Sequence, residues 1–268
     1  MKERDHVNKQ EIVEEAKEMM KVFLMEAKQY IEASFEKELW IETKSSRNDL
    51  VTEVDQYIEA LFTRYLKQYF PSHRIFGEEN AEHKVESLEG AVWIIDPIDG
   101  TLNFVEQKRD FAISIALYMD GIGEYGIVYD VEKDDLYVGE KGKGATLNGR
   151  EIRKVSDRRG VADSLLIANL SAVNLYPKLK EAIRVSRGLR LYGAASLEFM
   201  AVATERAGAY LAANLAPWDV AASKIIAEEL GCIVSRLSGE EIDMLEKGTS
   251  VVALPKVYQE LQNLYLKK

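Results

Sequence analysis

One cysteine, five prolines and three histidines are all that 268 residues carry of those types, and 35 basic side chains face 45 acidic ones. The lone Cys232, set in Leu230-Gly231-Cys232-Ile233-Val234, excludes an internal disulfide and reads as part of a buried strand rather than a reactive thiol. His6, His73 and His83 sit apart among charged or turn residues, without the paired spacing of a zinc site, and each reads as a surface histidine. No uninterrupted apolar run reaches the roughly 20 residues that span a bilayer. The opening Met1-Lys2-Glu3-Arg4-Asp5-His6 is charged in both signs with no apolar core behind it, which with the single thiol leads to the expectation of a cytoplasmic protein. A formal charge of −10 disfavours nucleic acid and anionic membrane as partners, because both are held by an excess of Lys and Arg. A small phosphorylated substrate is compatible with that charge, since bound metal ions reverse the local sign of an acidic pocket.

What is present is a 47% hydrophobic, 30% charged composition, enough for a sizeable core. Apolar residues at Ile12, Val13, Ala16, Met19, Met20, Phe23, Leu24, Ala27, Tyr30 and Ile31 recur at helical spacing and predict a helix over about 10–36. A polar, turn-rich stretch over 44–52 precedes a second helix carrying Val54, Ile58, Leu61, Phe62, Tyr65, Leu66 and Tyr69, which stops before Pro71. Thr52 and Asp55 have capping-box spacing at its start. Arg74-Ile75-Phe76-Gly77-Glu78-Glu79-Asn80 reads as a short apolar strand that runs into paired acids, from which Glu78 could reach a strand-end site. Phe111–Met119, Tyr125–Val131 and Leu136–Gly139 predict antiparallel strands with turns at Asp120-Gly121 and Asp134-Asp135. Gly121-Ile122-Gly123-Glu124-Tyr125-Gly126 matches the dinucleotide fingerprint in letters, but a strand follows it instead of the required helix, so it reads as a hairpin turn. Beyond it, strands near 164–169, 188–192, 209–213, 232–235 and 250–253 alternate with helices near 176–186, 196–207 and 218–230. No low-complexity linker divides the chain, so one compact body of stacked helix and sheet layers is expected over 1–268.

The densest signal is Val92-Trp93-Ile94-Ile95-Asp96-Pro97-Ile98-Asp99-Gly100-Thr101. It reads as a buried strand that Pro97 ends, emptying into a turn where two carboxylates stand beside the amides of Gly100 and Thr101. Oxygen-only ligands of this kind suit a hard divalent ion such as Mg²⁺. Glu78 and Asp219 stand at a strand end and a helix start in the same way. If the four acids converge, each like-charged pair about 4 Å apart costs roughly 4 kcal/mol at an effective dielectric near 20, so the cluster demands cations and points to phosphomonoester hydrolysis.

Four blocks carry a family resemblance: Asn48-Asp49-Leu50-Val51-Thr52-Glu53-Val54-Asp55, Gly77-Glu78-Glu79, the run from Trp93 to Phe104, and Trp218-Asp219-Val220-Ala221-Ala222. In this order they resemble the inositol monophosphatase family of Mg²⁺-dependent, lithium-sensitive phosphatases over most of the chain. The resemblance implies an α/β (α+β) fold, a five-layer α-β-α-β-α sandwich, as a homodimer. The half 1–155 would hold metal and phosphate, and the half 156–268 substrate. It implies Glu78, Asp96 and the carbonyl of Ile98 as ligands of a first Mg²⁺, and Asp96, Asp99 and Asp219 as ligands of a second. The amides of Gly100 and Thr101 would take phosphate, while the Thr101 hydroxyl, paired with Asp55, would orient the attacking water, with Glu78 counted among the catalytic residues. Gly193, Ala194 and Ala195 match the segment that contacts the substrate ring, and Asp99 and Asp219 border it. Lys44 is a candidate for a third metal site or the phosphate. Inositol-specific members have a Glu six positions before the Trp-Asp pair, where this chain has Ala212. That implies broad specificity, with inositol 1-phosphate, NADP and fructose 1,6-bisphosphate as candidate substrates. A D-x-D-G-T aspartyl-phosphate phosphatase is disfavoured because Asp96-Pro97-Ile98-Asp99-Gly100-Thr101 is one residue too long, and a catalytically silent scaffold because every acid of the cluster is present.

Overall fold

A computed structural model of the chain describes residues 9–37, 40–43, 50–79 and 85–266. Its elements are α1 (Lys9–Ser34), β1 (Ile41–Thr43), β2 (Leu50–Thr52), α2 (Glu53–Tyr69), β3 (Arg74–Gly77), β4 (Ala91–Asp99), α3 (Thr101–Gln107), β5 (Ala112–Met119), β6 (Ile122–Asp130), β7 (Asp135–Glu140), β8 (Gly144–Leu147) and β9 (Arg150–Glu151). The second half holds β10 (Leu166–Ala168), α4 (Leu170–Leu175), α5 (Leu179–Val185), β11 (Leu189–Arg190), α6 (Ala195–Ala203), β12 (Ala209–Leu215), α7 (Pro217–Glu229), β13 (Ile233–Ser235), β14 (Gly248–Ala253) and α8 (Pro255–Glu260).

These elements stack in five layers, as the resemblance implied. The predicted apolar stripes of α1 and α2 are buried against each other and on one face of a seven-stranded sheet, β3-β4-β5-β6-β7-β8-β9. Phe23 meets Phe62 edge-on at 5.4 Å, and Phe62 meets Trp93 of β4 at 5.7 Å, so aromatic contacts run from the outer helix into the sheet. The opposite face packs on α6 and α7, whose other side covers the five-stranded sheet β11-β10-β12-β14-β13, and α4, α5 and α8 close the far face. With neighbours on both sides, α6 is buried along its whole length, which explains why it shows no amphipathic stripe.

β4 departs from expectation in an instructive way. Pro97 does not end it: pairing with β5 runs from Ala91↔Met119 to Asp96↔Ser114, skips, and resumes at Asp99↔Ala112. Two residues, Pro97 and Ile98, oppose the single Ile113, which makes a β-bulge; proline, lacking an amide donor, fits a bulge for the same reason that it fits a strand end. In a regular strand, residues three apart point to opposite faces. The bulge shifts the phase by one, so Ile98 packs with the α2 side while Asp96 and Asp99 face α6 and α7.

Several smaller expectations are corrected. The helix expected near 176–186 is α5, and a further short helix not expected, α4, precedes it across Pro177, capped by Asn169, which accepts the Ala172 amide. The end of the turn-rich stretch before α2 is strand: β2 pairs antiparallel with β1. His73 is no surface residue: it is half-buried, stacks on Phe70 at 4.7 Å, and its Nδ1 accepts the indole N–H of Trp93 at 3.0 Å, with burial lowering its pKa. His6, His83, Lys44, Asn48 and Asp49 lie outside the described residues. Asp120 and Gly121, both at positive φ, make the tight β5–β6 hairpin in place of any nucleotide loop.

Candidate active site

The bulged end of β4 is the centre of the site. Carboxylate oxygens of Asp96, Asp99 and Asp219 lie within 4.8 Å of one another. Each is delivered by a different local device. Asp96 precedes the bulge and accepts the Ile98 amide at 3.1 Å. Asp99 follows it and accepts the Ala195 amide at 3.1 Å, the Ser196 amide at 2.6 Å and the Ser196 hydroxyl, so it fastens β4 to the start of α6. Asp219 stands in the first turn of α7 behind Pro217 and accepts the Ala216 amide at 2.7 Å. A carboxylate oxygen has two lone pairs, so these bonds orient all three acids and leave each able to ligate. Glu78 is not one of the three that converge within that distance, but its charge acts on both Asp96 and Asp219.

The electrostatics are those of acids held together. Burial, then the charges of Glu78, Asp99, Asp219 and Asp55, push the Asp96 carboxyl well above the usual carboxylate range. Burial also raises Asp99 to about 6, against the Ser196 and Ala195 donors and with the help of Glu198. Asp219 rises to about 8 through burial and the Asp99 charge, with the Ala216 amide and Lys247 opposing. Two unit charges 4.8 Å apart repel by roughly 3 kcal/mol at an effective dielectric of 20, so divalent cations fit this donor set. The ordinary value is 3.8, and a raised folded-state pKa contributes stability below that value that is lost as pH climbs through the folded-state one. In chelator the melting temperature is therefore expected to fall between about pH 4 and pH 8 on account of these groups, and Mg²⁺ to restore most at the upper end. Identical Mg²⁺ effects at pH 5 and pH 8, read by differential scanning calorimetry, would contradict this.

Thr101 opens α3 beside the cluster. Its hydroxyl oxygen lies 3.0 Å from the Ile98 carbonyl and 3.3 Å from Asp55 Oδ1. Asp55 also has the capping role expected of it: Oδ2 accepts the Thr52 amide at 2.8 Å and the Thr52 hydroxyl, while Thr52 Oγ1 accepts the Val54 amide. One oxygen of Asp55 serves the helix and the other faces the site. Gly100 precedes Thr101 at φ 91°, and a Cβ there would stand 3.0 Å from the Ala194 Cβ and 3.2 Å from the Asp110 carbonyl. Gly100→Ala is expected to destabilise the fold by about 1–2 kcal/mol from backbone strain alone, and to lower activity by pushing the 193–195 segment away. Urea denaturation beside a phosphatase assay checks both; a variant as stable as wild type would show that this turn relaxes freely.

The Gly193-Ala194-Ala195 segment does border the cluster, held by residues that sequence reasoning did not single out. Asn103 Nδ2 donates to the Tyr192 carbonyl at 2.7 Å and the Asp110 carbonyl at 2.8 Å. Glu198 Oε1 accepts the Tyr192 and Gly193 amides at 2.7 and 3.1 Å, and burial raises its pKa. An acid inside the apolar run Leu197-Glu198-Phe199-Met200 was the available signal. Ala212, expected to leave room in the pocket, is wholly buried in β12 opposite Ser250 of β14, because a methyl group at the β12 bulge is covered by its neighbours. Cys232 is buried beside β13, its thiol pushed up to about 12 by burial, in keeping with an unreactive role.

Comparison with known proteins agrees with this geometry. The sequence matches the inositol monophosphatase family over residues 9–268. The inositol-1-monophosphatase of Bacillus subtilis is 38% identical over 257 residues, covering 94% of this chain and 97% of that one. An IMPase/NADP phosphatase solved with Mg²⁺ and phosphate superposes with a TM-score of 0.88 at 30% identity, covering 94% of this chain and 95% of that chain. A Staphylococcal inositol monophosphatase-1, solved as a LiCl-soaked inhibitory complex, gives 0.88 and 30% over 94% of each chain. With an acidic cluster on a bulged strand, a five-layer fold and a match from the first described helix onward, the chain belongs to the inositol monophosphatase family and is a phosphoric monoester hydrolase.

Proposed function

We propose that the chain is a Mg²⁺-dependent, lithium-sensitive inositol 1-phosphatase with broad specificity, acting on myo-inositol phosphate and water to release myo-inositol and phosphate. The convergence of Asp96, Asp99 and Asp219 within 4.8 Å carries this reading. Asp96, Asp99 and Asp219 would hold one ion; Glu78, Asp96 and the Ile98 carbonyl a second. Lys44 is a candidate to support a third, weaker metal site or the phosphate. Bound there, Mg²⁺ supplies Lewis-acid polarisation of the phosphoryl group and acidifies water. The protein supplies position. The amides of Gly100 and Thr101, at the start of α3, donate to phosphate oxygens. The Thr101 hydroxyl has one proton to give and lone pairs to spare, so with Asp55 behind it the oxygen can accept from a water and aim it at phosphorus. Gly193, Ala194 and Ala195 border the leaving group, and Asp99 and Asp219 face its hydroxyls. On this reading the half 1–155 supplies the phosphate contacts and most of the metal ligands, and the half 156–268 supplies Asp219 and the 193–195 segment at the substrate.

A phosphatase of NADP or fructose 1,6-bisphosphate on the same cluster is the second reading, supported by the likeness to the IMPase/NADP phosphatase and by a chain that carries no Glu at position 212. Phosphate release from inositol 1-phosphate, NADP and fructose 1,6-bisphosphate, each with Mg²⁺, decides between them. The first reading expects inositol 1-phosphate to be hydrolysed, with kcat/KM within about tenfold of the best competitor. NADP turned over a hundredfold better would replace it with the second. We also infer a cytoplasmic homodimer. Among the described residues no helix is long and apolar enough to cross a membrane, and Leu170, Leu175, Leu189 and Leu191 expose large apolar side chains. A monomer mass by light scattering, or fractionation with membranes, would count against it.

A further inference from the structure

Glu59 lies one helical turn beyond Asp55 on α2, is 1% exposed, and faces the end of β3 at Gly77. Its Oε2 accepts the Glu79 amide at 2.8 Å. A Cβ on Gly77 would stand 2.6 Å from the Glu59 carboxyl carbon, so that carboxyl lies against the bare Cα of Gly77. The two contacts flank Glu78, one on the residue before it and one on the residue after. This matters because β3 is a four-residue strand at the sheet edge, and Glu78, just past its end, donates its amide to the Ile95 carbonyl of β4 at 3.3 Å. A leucine would fill the space beneath Gly77 without the desolvation penalty of a buried carboxylate, so packing alone does not account for an acid here. α2 itself is pinned by its capping box and by Ile58 and Phe62 in the core, so one rigid helix presents Asp55 to Thr101 and Glu59 to the turn bearing Glu78.

We propose that Glu59 is a positioning residue: by holding the Glu79 amide and bracing Gly77, it fixes the backbone that aims Glu78 at Asp96 and Asp219. This rests on the reading of Glu78 as a metal ligand. Substrate-free Mg²⁺ binding, measured by titration calorimetry, tests it on wild type, Glu59→Gln, Glu59→Ala and, as a reference, Asp96→Asn. Glutamine keeps the acceptor and the volume, so its Kd is expected within about twofold of wild type, whereas alanine should bind at least about tenfold more weakly. Unchanged affinity in Glu59→Ala, or a glutamine variant as weak as alanine, overturns the proposal. Should Glu59→Ala not fold by circular dichroism, Gly77→Ala replaces it. Its methyl displaces the Glu59 carboxyl and must give the same tenfold loss, and wild-type affinity there overturns the proposal equally. Asp96→Asn separates the two levels. If it binds Mg²⁺ as wild type does, the metal site itself is wrong; if it is weak while Glu59→Ala is not, only the role of Glu59 falls.

Discussion

Asp96→Asn is expected to lower turnover by about a thousandfold while leaving the melting temperature in chelator unchanged or higher. The two effects have one cause. Asp96 is buried among the charges of Glu78, Asp99, Asp219 and Asp55, and its pKa is raised by burial first and by those neighbours next. Asparagine keeps the oxygen that accepts the Ile98 amide, so the bulge retains its bond, but the charge that a cation needs and that its neighbours repel is gone. An ordinary core substitution lowers stability and activity together; this one should separate them. Phosphate release at saturating Mg²⁺ and a thermal melt in chelator measure the two. A melting temperature several degrees below wild type in chelator would mean that Asp96 is structural first.

Thr101→Ala should lower kcat by about a hundredfold with KM within a few fold. The backbone amide proposed to bind phosphate is kept, and Asp55 keeps its cap on α2 through Thr52, so neither binding nor folding loses its main support. What is lost is the oxygen between the Ile98 carbonyl and Asp55, the group placed to hold a water. Such a group acts in the transition state more than in the ground state. Steady-state kinetics with inositol 1-phosphate check this. A mutant that matches wild type in kcat would remove the hydroxyl from the mechanism, and one changed in KM alone would make it a binding group.

Much of this site was legible in the sequence because local chemistry fixes it. The capping pair Thr52 and Asp55, the strand before Asp96, Gly100 and the proline-led start of α7 are all short-range signals; Asp55, Asp96 and Asp219 stand in the helix start, strand and helix start so indicated, whereas Asp99, expected in a turn, is the last residue of β4. What was not legible depends on pairing between distant segments. Nothing in Asp96-Pro97-Ile98-Asp99 says that β4 continues past the proline, and without the bulge the phase of the two acids on the sheet cannot be deduced. Asp99 likewise spends its bonds on Ala195 and Ser196, nearly a hundred residues away, and Asn103 finds the Tyr192 carbonyl across a similar separation. Glu59 and Glu198 left a fainter trace, a single acid on an otherwise apolar helix face or run. His73 left none, because its partners Phe70 and Trp93 become neighbours only when β4 packs under α2.

The most direct test of the central claim, that the acids around the β4 bulge are a divalent-cation centre for phosphomonoester hydrolysis, is phosphate release from inositol 1-phosphate by the full-length chain, first in chelator and then across a Mg²⁺ titration with and without Li⁺. The account predicts no release in chelator, saturable recovery with Mg²⁺ and suppression by Li⁺. Full release in chelator would contradict it.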